Sequence, residues 1–252
     1  MSTLKSRVRA AAIHLALSAL IAAVAAAVVF LLWFPYPYRE ISGGRTLFFI
    51  VVAVDVILGP LITLAIFDMR KGWPVLRKDL IVVGLVQLIA LGYGTWTVHA
   101  ARPVHLVFEY DRFKVVHAIE VDVAQLEEAR SGLQNLPLAG PTLVALKVLS
   151  DSDRSKYMLA DVTSGSEIAW QPALWEPYEK ATERVLKAAR PLEDLMARKP
   201  EAKAELARLA QTSLLQPSEI VTLPVVGREQ FWTVLLDRKT ARPVAFLPLD
   251  PF

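Results

Sequence analysis

Apolar positions are unevenly spread along this chain: three long runs precede residue 98, and shorter runs broken by charge follow it. The first run spans Ala10 to Phe34, the second Leu47 to Phe67 and the third Leu80 to Val98. Each approaches or exceeds the about 20 residues that an α-helix needs to cross a bilayer. None shows the polar face at a 3.6-residue period that a long soluble helix would carry. The pattern therefore predicts a membrane domain over residues 1–98, with transmembrane helices at about 10–34, 47–67 and 80–98. Pro35 and Pro37 end the first helix. Trp33, Tyr36 and Tyr38 sit where an interfacial aromatic belt belongs, and Tyr93 and Trp96 lie toward the far end of the third run.

Lys5, Arg7 and Arg9 ahead of the first run resemble the start of a secretory signal. The run continues through VVFLLWF and is long enough to span, so an uncleaved signal anchor is expected. Basic residues also set the orientation. The N-terminal tail and the loop holding Arg70, Lys71, Arg77 and Lys78 are richer in cations than the intervening loop, which has Arg39 and Arg45. Positive loops favour the cytoplasm. The N-terminus is thus expected inside, and residues 99–252 outside, in the periplasm of a Gram-negative cell.

The second span reads VVAVDVILGPLIT, a carboxylate, a glycine and a proline inside an apolar run. At 100° per residue, Phe48, Asp55, Gly59, Ile62 and Ile66 share a face. Gln87, Ala90, Leu91 and Gly94 do so on the third span, and Ala12, Ala16, Ala19, Ala23 and Ala26 on the first. Small residues let helices approach closely in lipid. Asp55 is expected inside the bundle, hydrogen-bonded to Gln87 or protonated, with a kink where Pro60 removes the donor to the carbonyl of Val56. Its readings, in order of preference, are an anchor that sets helix register, a contact for a partner's helix, and a proton or ion relay.

After residue 98 the pattern predicts an α+β domain. Arg102 to Tyr110 and Phe113 to Val121 read as strands joined in a hairpin at Asp111-Arg112. Val123 to Leu133 reads as a helix capped by Asp122. Thr142 to Leu149, Phe231 to Leu236 and Pro243 to Leu249 read as further strands. Leu174 to Met196 and Glu201 to Ala210 carry helical periodicity, broken by Pro191 and begun at Pro200.

Composition narrows the chemistry. Hydrophobic residues make up 54% and charged residues 21%, with mean hydropathy +0.39, as expected of a membrane part joined to a globular one. A net charge of +3 without a basic stripe interleaved with aromatics argues against nucleic-acid binding. Absent cysteine excludes disulfides, thiol nucleophiles and thiolate metal sites. His105 and His117 could meet across the hairpin, but no further ligand has metal-site spacing. Ser164-Gly165-Ser166 lacks the strand-to-helix setting of a nucleophile. Asp151, Asp153 and Asp161 form no calcium loop. Trp170, Trp175 and Tyr178 read as buried packing ahead of an interaction surface. No catalytic residue, cofactor site or metal site emerges.

DVILGPLITLAIFD, followed by a basic loop and then RKDLIVVGLVQLIALGYGTWTVHAARPVHLVFEYDRFKVV, resembles the type IV pilin accessory proteins of the TfpX/TfpZ family. The likeness is densest from Asp55 to Val116 and extends more loosely to the closing LPLDPF. It implies a multi-pass inner-membrane protein, not an enzyme, that helps a particular major pilin to be assembled, alongside other inner-membrane pilus components. The resembling segments hold Asp55, Gly59, Pro60 and Gln87 as candidate intramembrane contacts. They also hold Arg102, Phe108, Asp111, Arg112 and Phe113 as candidate periplasmic contacts. The family supplies no established ligand residues to transfer onto them. The alternative is a membrane-anchored periplasmic ligand-binding or envelope enzyme domain.

Overall fold

The computed structural model describes residues 2–150, 155, 157, 167–228 and 230–252. Asp151, Asp153, Asp161 and the Ser164-Gly165-Ser166 segment lie outside the described residues. The chain forms two compact units, residues 1–102 and 103–252.

The first unit holds three helices long and apolar enough to cross a membrane: Leu4–Trp33, Gly44–Ile66 and Trp73–Ala100. The third begins earlier than its apolar run, because Pro74 occupies the first turn, where a missing amide donor costs nothing. The first span ends in a π-helical stretch, Val28–Trp33, and the second contains another, Ala53–Leu58. Val29, Phe34, Phe48, Val98 and Ala101 form a buried apolar cluster. Gly44 is required there, since a β-carbon would overlap the ring of Phe34.

The inward faces differ in part from the helical-wheel expectation. On the first span Ala12, Ala16, Ala19 and Ala23 face outward and Ala26 is half-buried. The inward stripe runs instead through Arg7, Ala11, His14, Ser18, Ala22, Ala25 and Val29. Polar side chains with partners in the bundle outweigh a row of alanines that can sit against lipid at little cost. On the second span Thr63 is buried where Ile62 was expected, and Ile62 is 45% exposed. A π turn holds more residues than an α turn, so it shifts the face that follows it. The third span keeps its expected face, with Gln87, Ala90, Leu91 and Gly94 all turned inward.

The second unit is α+β. Its strands are β1 (Pro103–Glu109), β2 (Arg112–His117), β3 (Thr142–Leu146), β4 (Trp175–Pro177), β5 (Arg190–Pro191), β6 (Ile220–Val226), β7 (Phe231–Asp237) and β8 (Pro243–Leu247). Among the described residues they form one mixed sheet in the order β4-β3-β1-β2-β6-β7-β8. The pairs β1/β3 and β2/β6 are parallel and the others antiparallel. β5 shares an edge of β6 with β2, pairing at Val221 and Thr222 while β2 pairs at Val225 and Val226.

Several elements correct the sequence reading. Leu174 to Met196 breaks at Pro191 as expected, into the short helices Thr182–Ala188 and Leu192–Arg198, but its start is not α-helical and it also holds the strands β4 and β5. Pro177 and Pro191 lie in those two short strands, where a missing donor is tolerated at an edge. The stretch after Asp122 is a short 3-10 helix, Val123–Glu128, although the expected cap is present: Ala124 N–H donates to Asp122 Oδ1 at 3.1 Å. β6 was missed entirely.

A candidate intramembrane site around Asp55

The site begins with the missing amide of Pro60. In the π turn of Ala53–Leu58, carbonyls look five residues ahead for a donor, and for Asp55 that residue is Pro60. The third span fills the gap: Gln87 Nε2 donates to the Asp55 carbonyl oxygen at 3.2 Å. Gly59 makes this possible, because a β-carbon there would overlap the Gln87 amide nitrogen. Asp55, Gly59, Pro60 and Gln87 are thereby one structural unit. The expected Asp55–Gln87 pairing is present, but through the main chain of Asp55.

The Asp55 side chain is buried, with 9% exposure, and neither carboxyl oxygen has a hydrogen-bond partner among the described residues. It lines a cavity of about 340 Å³ between the three spans, whose polar lining is otherwise His14, Ser18, Gln87 and Thr95 with the indole of Trp33. A second cavity of about 280 Å³, beside Ile50, Val54, Tyr93 and Gly94, also reaches Asp55. An ionisable group at this depth is expensive and is retained where it has a task.

Around it the bundle is cross-linked by groups the sequence reading passed over. His14 Nδ1 and Thr63 Oγ1 lie 2.6 Å apart, tying the first span to the second. Beyond the end of the second span, Asp68 accepts from Arg7 at 3.0 Å and from Arg70 at 2.7 Å. The hydrogen bond from Arg70 holds the Asp68 carboxyl well below the usual carboxylate range. Lys71 pairs with Asp79 at 2.8 Å. The signal for His14 was present in the sequence, as an ionisable residue inside an apolar span.

The candidates after residue 98 separate. Phe108 and Phe113 are fully buried and pack edge-on at 5.7 Å, so they belong to the core and present nothing to a partner. Arg102 is also buried, donating to the His99 carbonyl at 2.9 Å. Asp111 is exposed and Arg112 half-buried at the hairpin turn, and they pair with each other at 2.8 Å. Trp175 and Tyr178 are buried, Trp175 donating to Ala169 O at 2.9 Å and Tyr178 to Ala241 O at 2.5 Å.

His105 and His117 lie on opposite faces of the sheet, because His105 sits across from Val116 and side chains alternate. His105 is bonded to Thr142 Oγ1 at 2.8 Å, and burial pushes its imidazole down to about 4. Burial likewise lowers His117, which as a neutral ring donates Nδ1–H to Glu120 at 2.9 Å. Burial alone would raise Glu120, but the His117 hydrogen bonds and Arg228, at 2.9 Å, bring it down to about 2. Among the described residues no group of three or more metal-ligating side chains occurs.

The chain is similar to known proteins over most of its length. A family model described as Fimbrial assembly protein FimB matches residues 2–43. The Fimbrial assembly protein, serogroup I, of Dichelobacter nodosus is 32% identical over 228 residues, covering 90% of this chain and 89% of that one. The serogroup E1 protein of the same organism is 30% identical with the same coverage. No solved structure matches.

Proposed function

Because the chain belongs to the fimbrial assembly protein family, we propose that it is an inner-membrane accessory protein that assists one cognate major type IV pilin. Its role is assembly, not catalysis. The spans contact the pilin's membrane helix, and the outer domain, placed in the periplasm, contacts the pilin's head. Two linked weak contacts raise selectivity through effective concentration without either being tight. The cations at Lys5, Arg7, Arg9, Arg70, Lys71, Arg77 and Lys78 support a cytoplasmic N-terminus. The opposite loop carries only two cations, Arg39 and Arg45, so the count of basic residues favours the same side.

The observation that carries this reading is Asp55, a buried carboxyl without a partner among the described residues, set in an apolar cavity of a protein whose relatives are named for fimbrial assembly. Exchanging residues 103–252 for those of a relative that serves a different pilin is the direct test. Pilin preference in a piliation assay should follow the exchanged domain. Preference that stays with the original spans would remove the outer domain from recognition.

A further inference from the structure

We propose that the cavity beside Asp55 receives a partner's transmembrane helix that carries one cationic group, an ammonium or guanidinium, at the depth of Asp55. This deepens the reading above and rests on it, by naming the chemistry that the partner helix must bring.

Both Asp55 carboxyl oxygens are buried and unpartnered among the described residues. Of the neighbouring polar groups, Gln87 is engaged with the Asp55 main chain and His14 with Thr63, and among the described residues none of the others lining the cavity, Ser18, Thr95 and Trp33, bonds the carboxyl. A carboxyl left in this state inside hydrocarbon is costly, so the favourable state takes donors from outside the bundle. Lipid cannot supply them at this depth. Asp55 is the central residue of the Gly44–Ile66 span, far from headgroups, and an acyl chain has no donor.

The two oxygens narrow the group further. A single hydroxyl donates once and leaves one oxygen orphaned, whereas an ammonium has three donors and a guanidinium five. Either can serve both oxygens and also compensate the charge of an ionised carboxylate. A divalent metal would need several oxygen ligands, and among the described residues Asp55 is the only carboxylate lining the cavity. The apolar walls, with Leu17, Ile21, Val52, Leu88 and Leu91, match the body of a helix and not a hydrated solute.

The test uses the full chain in phosphatidylcholine vesicles with labelled synthetic single-span Leu/Ala helices, identical except for a central Lys, Ser or Leu. Energy transfer to the chain reports association. The Lys helix should bind about tenfold more tightly than the Leu helix, and the Ser helix should stay near Leu. Asp55→Asn, which keeps the side-chain shape, should bring Lys down to the Leu level. Equal binding of all the helices, a Ser helix matching Lys, or a Lys preference that survives Asp55→Asn would each overturn the assignment. Piliation in cells separates this from the function. If the helix series is flat while Asp55→Leu abolishes pili, the cationic chemistry fails and the pilus role stands. If the Lys preference holds while Asp55→Leu cells make normal pili, the site stands and its place in pilus assembly fails.

Discussion

Gln87 on the third span donates its side-chain amide to the main-chain carbonyl of Asp55 on the second, at 3.2 Å, across a gap kept open by the missing side chain of Gly59. One relationship thus answers two needs: it satisfies a carbonyl that Pro60 leaves without a donor, and it draws two helices together. It also makes the bundle sensitive to single atoms.

Gly59→Ala should push the flexible end of Gln87 aside and cost about 0.5–1.5 kcal/mol of bundle stability, chiefly the lost hydrogen bond to the Asp55 carbonyl. Gln87→Ala alone removes the hydrogen bond but clears the space. The double variant should therefore be more stable than the sum of the single losses predicts. Unfolding in detergent, monitored by circular dichroism, measures all three. Strict additivity would mean that the contact at Gly59 does not couple the spans.

Asp55→Leu should leave the protein inserted and at normal levels, since it exchanges a polar group with no partner among the described residues for an apolar one. Piliation by the cognate pilin should fall. Full piliation at equal protein levels would take Asp55 out of the mechanism.

Acid should destabilise the sheet domain in two windows. His105 is neutral in the fold, with its pKa brought from 6.5 to about 4, so the unfolded chain takes up a proton first as pH falls. Stability is lost from about pH 6.5 down to about 4, at roughly 1.4 kcal/mol per pH unit for this group. Glu120 acts lower. Its folded pKa of about 2 gives stability present above its ordinary 4.5 and lost as pH falls from there. Thermal unfolding of the full chain in detergent across pH 8 to 3 should show both. His105→Gln should flatten the upper window in part, leaving the share of His117, which burial also lowers.

Tyr178→Phe should cost about 1–1.5 kcal/mol, because it removes the donor to the buried Ala241 carbonyl while keeping the ring in place against Phe113. Chemical denaturation of the same preparation checks this. An unchanged midpoint would show that the carbonyl finds another donor.

Sequence alone determined that the chain has three spans followed by an α+β domain. Spanning depends on the length of an apolar run, and hydrophobic length can be read residue by residue. The Asp122 cap, the hairpin following residue 102 and the terminal strands were legible for a similar reason, being set by neighbours a few residues apart. Tertiary structure alone decided which way each element turns and what it meets. His14 and Ser18 rotate the first span away from its alanine row because Thr63 lies across from His14 on another helix. The π turn moves the inward face from Ile62 to Thr63 because Pro60 cannot donate. β4 and β5, short and each holding a proline, form because neighbouring strands supply ladders that local propensity does not encode, whereas β6, rich in β-branched residues, was legible in the sequence despite Pro224. Phe108 and Phe113 pass from candidate contacts to core for the same reason: burial is a property of the assembled sheet, where distant residues close over a side chain.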